Sequence, residues 1–417
     1  MLENALERFS EDVFQFVTGE SKCWKTLLVK KHTENLNTAG DFSFPNTVKS
    51  WHDFLNLEQV SSTEQVLMKY IGKTLENLVE ESAKWSLQIQ RATEHKARVH
   101  MFLFRPKAIQ IGLLEATKNI DLISLKMQKN TSPVVCDPLC DDMSCITSLR
   151  LKYLSKSIQN LHALCRECNE KAPKVFVTAK SSSRSDGSKI ILCGTVLNAK
   201  TGVKETQINA DDFIRIRQQE MALIAQHKYG VRVATDSKWK EFIAHLGESA
   251  VIFELLQAKP SIAVKINFDC SSAGSSRGAA FILYNCARLE TIVRTFNTKV
   301  EEGIYPPLPD FTEIDFSLLT QEDEWALIFN YVLGLPSLLT NCVGADKHYE
   351  FRPHLICGFL CSMVRVFSQY YRKIRVLTEQ RKHLLPVMFA RIHMLKVLND
   401  TLKTCLRILS IKSVSQM

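Results

Sequence analysis

Seven cations, Arg365, Arg372, Lys373, Arg375, Lys396, Lys403 and Arg407, cluster towards the end of the chain, with Tyr370 and Tyr371 among the first of them. Guanidinium and ammonium groups neutralise phosphates, and aromatic rings stack on unpaired bases. Together they suit a surface that holds an acidic polymer and reads its single-stranded part. The charge is concentrated: Phe351 to Met417 hold 12 of the 53 Lys and Arg but only two of the 44 Asp and Glu, Glu379 and Asp400. That block is +10, whereas the other 350 residues are −1 (41 basic minus 42 acidic). A block of one sign that also carries helical periodicity reads as a folded surface rather than a disordered arm. Nucleic acid is the first partner it implies, against the plainer alternative of a solvated face around a helical core.

Other chemistry is thinly represented. Cys136, Cys140, Cys145, His162, Cys165 and Cys168 lie within one stretch, but only Cys165 and Cys168 have the two-residue gap common in tetrahedral zinc sites. Ordinary thiols, no metal and a reducing compartment are the expectation for the 13 cysteines. No Gly-x-Gly-x-x-Gly loop follows a strand, and there are 15 glycines in all, so no methyl-donor or other cofactor site is expected. No catalytic constellation is expected either.

The elements that must position the basic residues follow from periodicity. Met388, Ile392, Leu395, Leu398, Leu402, Cys405 and Leu409 recur every three or four residues as the buried stripe of a long helix, with Lys396, Lys403 and Arg407 on another face. Arg365 and Arg372, seven apart, share a face of the helix before it. Upstream, residues 1–130 read as a small, mostly helical N-terminal domain, with a helix from Gln65 to Ile89. Residues 131–188 read as a Cys-containing connector, with a helix near Ile146–Glu170 and a linker at Thr178–Ser188. Short β runs begin at Lys189, with a turn near Lys200–Gly202 and a helix over Ala210–His227. The N-terminus carries Glu3, Glu7, Glu11 and Asp12, unlike a targeting segment, and the apolar run Leu355–Val364 is too short to span a bilayer. A cytoplasmic protein with no membrane association is expected.

Residues 277–296, RGAAFILYNCARLETIVRTF, place Tyr284 and Arg288 one helical turn apart. This resembles the opening of the DALR anticodon-binding domain of arginyl-tRNA synthetases. The resemblance continues through Glu322–Leu339, through FSQYY at Phe367–Tyr371, and from Arg391 to Met417. Upstream, Leu192–Phe213 resembles the strand and loop around the family's Lys-Met-Ser-Lys-Ser element, and His245–Leu256 its connecting helix. The catalytic elements depart from the pattern. None of the 11 histidines lies in a His-x-Gly-His element, and the second loop reads Thr201-Gly202-Val203-Lys204-Glu205-Thr206-Gln207, with one lysine and an added carboxylate placed to repel triphosphate.

The resemblance implies a mainly α fold: a DALR-type helical bundle over 269–417, preceded by a degenerate α/β class I synthetase-like remnant over 189–268. Tyr284–Leu289, Asp315–Leu319 and Leu355–Cys357 are closest to the animal members of the family that lack a synthetase active site, and the region from Arg98 to Lys189 fits a shortened form. What those members imply is a non-catalytic adaptor. It would bind arginine tRNAs through the anticodon arm and assist a methyltransferase that forms 3-methylcytidine in the anticodon loop. Tyr370, Tyr371 and Met417 are then stacking or apolar contacts, the seven cations are phosphate contacts, and Tyr284 and Arg288 are contacts carried over from the motif. A protein-interaction scaffold without RNA binding and a divergent active arginine-tRNA ligase remain as alternatives.

Overall fold

Asn4 opens the first helix by accepting a hydrogen bond from the Glu7 amide, and Gly19 closes it in the left-handed region (φ 76°) that a β-carbon would disfavour. The computed structural model in which these contacts are seen describes residues 2–20, 28–55, 65–129, 134–142, 144–165, 174–180, 188–229, 237–268, 276–344 and 349–415. Helix α1 (Ala5–Thr18) buries Phe9, Val13 and Phe14. Next come β1 (Lys30–Lys31), α2 (Leu36–Ala39), β2 (Phe42–Pro45), α3 (Leu67–Tyr70), α4 (Leu75–Ser82), β3 (Ile89–His95) and β4 (Arg98–Leu103). The four strands form an antiparallel sheet in the order β1-β2-β4-β3, and the β3–β4 hairpin turns on Lys96 and Ala97, both at positive φ.

Two corrections to the sequence reading fall here. The helix expected over Gln65–Ile89 is broken into α3 and α4, because Gly72 turns at φ 63° and Thr74 and Asn77 then form a capping box that starts a new helix. The N-terminal region, expected to be mostly helical, also holds this sheet.

Helix α5 (Arg105–Gln128) leads to β5 (Val134–Cys136), α6 (Ile146–His162), β6 (Val175–Thr178) and β7 (Lys189–Leu192), which make a three-stranded parallel sheet in chain order. A second parallel pair joins β8 (Val196–Asn198) to β9 (Val264–Ile266) across α7 (Ala210–Tyr229) and α8 (Ser237–Leu256). One buried cation fastens this part. The Arg150 guanidinium donates to the carbonyls of Leu255 (3.0 Å), Gly194 (2.7 Å), Ile262 (2.7 Å) and Lys259 (3.2 Å), so α6, α8 and both ends of the β8–β9 crossover meet at one side chain.

The rest is a helical bundle: α9 (Ser276–Glu301), α10 (Glu322–Leu327), a π turn at Ile328–Val332, α11 (Leu335–Val343), α12 (His354–Lys373) and α13 (Leu385–Ile408). All seven residues of the stripe from Met388 to Leu409 are buried. The continuous run Glu322–Val343 is long and apolar enough to cross a membrane, but 67% of its apolar window is buried inside the molecule, the position of a core helix. It also receives the N-terminal sheet. Asp41 accepts from the Trp325 indole (2.7 Å), Arg105 grips Glu322 through two bonds (2.6 and 3.1 Å), and the Lys31 ammonium donates to the Phe329 carbonyl (3.1 Å) in the π turn.

Candidate nucleic-acid interface

Helix α9 carries Tyr284, Arg288, Thr291 and Thr295 on one face, the i, i+4, i+7, i+11 spacing of a helical stripe. Helix α12 brings Tyr371 against it. The Arg288 guanidinium lies 4.5 Å from the centroid of the Tyr284 ring and 4.5 Å from that of Tyr371, and donates to the Tyr284 hydroxyl (2.8 Å) and to Asn285 Oδ1 (3.3 Å). A cation between two π faces is held by electrostatics as well as by its hydrogen bonds. With Leu377 from the α12–α13 loop these residues line a shallow cavity of about 280 Å³. Tyr371 is 38% exposed, so part of its ring remains open to a stacked base. Arg372 is exposed next to it in the chain. Arg375, also exposed, donates to the Leu377 carbonyl (3.2 Å), which puts it at the rim of the cavity.

Tyr370 has to be withdrawn from the stacking set. Its ring is fully buried and its hydroxyl donates to Glu324 Oε1 (3.1 Å), because it continues the apolar stripe Leu360, Met363, Val364 and Phe367 while Tyr371 falls 100° off it. Burial, with the negative charge of Glu324 beside it, pushes the Tyr370 phenol far above its ordinary pKa, so it stays a neutral donor. Glu324 itself is fully buried, takes a second bond from Arg391 (2.8 Å) and caps its own helix at the Gln321 amide (3.0 Å). This carboxylate was not foreseen from the sequence, and the Gln321-x-x-Glu324 capping box is the signal that points to it.

The basic residues do not form one uniform surface. Of the 12 Lys and Arg after Phe351, five meet a carboxylate: Arg352 with Glu350, Lys373 with Asp323, Arg381 with Glu379, Arg391 with Glu324, and Lys403 with Glu290. Arg365, Arg372, Arg375, Lys382, Lys396, Arg407 and Lys412 have no ion pair among the described residues and are exposed. Lys396, Lys403 and Arg407 run down α13 away from the Tyr371 cavity towards a second groove, of about 700 Å³, which Lys403 and Arg407 line together with Asp400, Lys412 and Ile120 of α5. Arg407 there donates to Ser124 (2.8 Å). Burial, the largest influence, raises the Asp400 pKa against the opposing pull of Lys403. Arg294, exposed on α9, was also missed; it reaches the Thr291 hydroxyl and the Ser415 carbonyl (3.5 Å each). Met417 lies outside the described residues.

The carboxylate expected to repel triphosphate does not face out of its loop. Glu205 is 5% exposed and turned inward, where it accepts from Asn198 (2.8 Å) and from the amides of Gln207 (2.7 Å) and Ile208 (3.1 Å). Burial works to raise its pKa, but these bonds together hold it below the usual carboxylate range. It is a loop brace that leaves Lys204 as the exposed charge. Of the cysteine stretch, Cys136 accepts from Ser155 (3.0 Å), and Cys168 lies outside the described residues.

The family model of the DALR anticodon binding domain matches residues 282–417, the segment that carries both Tyr284 and Tyr371. The chain is similar to rat DALR anticodon-binding domain-containing protein 3, 33% identical over 231 residues (54% of this chain, 43% of the rat protein). It is also similar to the zebrafish protein of that name, 27% identical over 318 residues (74% of this chain, 56% of the relative). It thus spans about half the length of the curated relatives it matches. Among solved structures, arginyl-tRNA synthetase from Plasmodium falciparum superposes with a TM-score of 0.59 at 10% identity, covering 100% of both chains, a likeness of fold. The match to the anticodon binding domain supports tRNA binding. Residues 282–417 thus match the DALR anticodon binding domain, in a chain whose fold is like that of arginyl-tRNA synthetase.

Proposed function

We propose that the chain is a non-catalytic adaptor that binds arginine tRNAs by the anticodon arm and assists a partner methyltransferase in forming 3-methylcytidine in the anticodon loop. The observation that carries the RNA part is the Tyr284–Arg288–Tyr371 cavity inside a DALR domain. It offers a partly open aromatic ring, a guanidinium anchored beside it, and exposed Arg372 and Arg375 at its edge, with no ion pair among the described residues. A splayed loop base is recognised by stacking, worth about 1–3 kcal/mol, while cations alongside hold its phosphates. The methyl group comes from the partner, since the chain has no Gly-x-Gly-x-x-Gly loop. Curated relatives at 27–33% identity carry the DALR name and not that of a ligase. The exposed charge of the second loop is the single Lys204, which is meagre for a triphosphate.

The experiment combines purified chain, arginine tRNA, a 3-methylcytidine-forming methyltransferase and its methyl donor, with nucleoside mass spectrometry as the readout. Modification that rises when the chain is added, and that falls with Tyr371→Ala, is the expected result. Equal modification with and without the chain would refute the adaptor role, and arginine-dependent ATP–pyrophosphate exchange by the chain alone would make it a ligase.

A further inference from the structure

Asn285 is the one buried polar side chain of α9 among the described residues, on a stripe it shares with Ile282, Leu289 and Ile292. A primary amide in such a place is costly unless both of its ends are bonded. Nδ2 donates to the Phe281 carbonyl (2.8 Å), and Oδ1 accepts from Arg288 Nη1 (3.3 Å). Neither bond leaves the helix. Asn399, also buried, shows the contrast: it reaches from α13 across to Glu290 of α9 and so ties two helices together. Asn285 fastens no second element by these bonds, and the carbonyl it meets lies within the helix, where the backbone ladder already supplies a donor. What its oxygen does is hold Arg288.

Arg288 has reason to be held. A long, flexible side chain that must be ordered when a ligand arrives costs affinity, and one ordered beforehand does not. The rings of Tyr284 and Tyr371, each 4.5 Å from the guanidinium, fix where the cation sits but only weakly how its plane is turned. Hydrogen bonds are directional and supply the rest. The Tyr284 hydroxyl takes a proton of Nη2 (2.8 Å), and by itself would leave a pivot; the Asn285 oxygen on Nη1 is the second point that removes it. A guanidinium carries five N–H donors. With one given to each of these acceptors, every nitrogen keeps one for a ligand in the cavity that Arg288 lines.

We propose that Asn285 is a positioning residue for RNA recognition: it fixes the plane of the Arg288 guanidinium so that the remaining donors meet acceptor atoms of a nucleotide in the cavity. This rests on the reading of that cavity as an RNA site given above. The test is a double-mutant cycle on the full chain, with anisotropy of labelled arginine tRNA at about 0.15 M salt and thermal melting of each protein. Asn285→Leu suits it, because leucine is close to asparagine in size and shape and belongs on an apolar stripe. Asn285→Ala, which removes the same bonds, is the second variant should leucine not fit. Either one is expected to weaken tRNA binding about three- to tenfold in the parent, and less than about twofold in an Arg288→Ala background. Asn285→Leu should melt no lower than the parent, a separation of affinity from stability that a merely structural asparagine would not give. If the folded Asn285 variants bind tRNA as the parent does while Arg288→Ala binds more weakly, the proposal falls and the RNA reading of the cavity stands. Equal losses with and without Arg288 would overturn it as well, since the effect would not run through the guanidinium. Arg288→Ala binding as tightly as the parent would overturn the reading of the cavity and the proposal together.

Discussion

Replacing Arg372, Arg375 and Lys396 together by glutamine separates cations that are free for phosphate from those already engaged. All three are exposed and carry no ion pair among the described residues. Each phosphate contact steepens the dependence of log K on log salt by about 0.7–0.9, so the triple variant should have a slope shallower by about 2–2.7. At ~0.15 M salt, one contact is then worth roughly 0.8–1 kcal/mol, and the three together about 50- to 150-fold in affinity. Lys373 should behave differently. To reach a phosphate its ammonium must leave Asp323 (2.9 Å), an exposed pair worth about 0–1 kcal/mol, so gain and loss nearly cancel and Lys373→Gln should leave slope and affinity almost unchanged. The assay is fluorescence anisotropy of labelled arginine tRNA from about 0.05 to 0.3 M salt, with thermal melting as the folding control. A triple variant whose line runs parallel to the parent's, or a Lys373→Gln line as shallow as the triple's, would refute the assignment of these cations.

Four other substitutions have defined outcomes. Tyr371→Ala should cost roughly 1–3 kcal/mol of RNA affinity with little change in melting temperature, whereas Tyr370→Phe should leave RNA binding alone and cost about 1–2 kcal/mol of stability in denaturant titration, because buried Glu324 loses a donor. Arg150→Met removes the cation that serves four carbonyls of the crossover and should destabilise the fold by about 3 kcal/mol or more, read as a lowered denaturation midpoint. Burial raises the Asp41 pKa from 3.8 to about 6 against the pull of the Leu103 amide and the Trp325 indole. The folded state therefore binds this proton more tightly than the unfolded chain does, and the contribution is fully present below about pH 4 and lost as pH rises through 6. The ceiling is about 3 kcal/mol over that window, so the parent-minus-Asp41→Asn stability difference should fall as pH rises between those values, while a difference that grows with pH through the same range would contradict the assignment.

How far the fold could be read in advance depended on whether local or distant groups decide a position. The stripe from Met388 to Leu409 and the helix from Ala210 are local patterns, and both elements form where periodicity puts them. Gly72 and the Thr74–Asn77 box are local as well, and the apolar spacing that ran across them concealed the break between α3 and α4. The β3 and β4 strands, QRATEHKARVH, carry so many polar residues that they lack the apolar alternation of a strand, because only β4 faces the core along most of its length. At the site, the contrast between Tyr370 and Tyr371 was legible, since the first continues the stripe from Leu360 and the second does not. The neutralisation of Lys373 by Asp323 and of Lys403 by Glu290 was not legible, because those carboxylates come from other helices and only packing brings them in. A charge block counted along the chain therefore overstated the free cation at the surface.

The proposed adaptor selects arginine tRNA by its anticodon arm. Its most direct test is sequencing of RNA cross-linked to the purified chain at near-physiological salt, where non-specific charge binding is suppressed. Arginine tRNAs should be enriched, with cross-links in the anticodon loop that Tyr371→Ala diminishes; an even spread over all tRNAs, or cross-links that ignore the loop, would contradict the account.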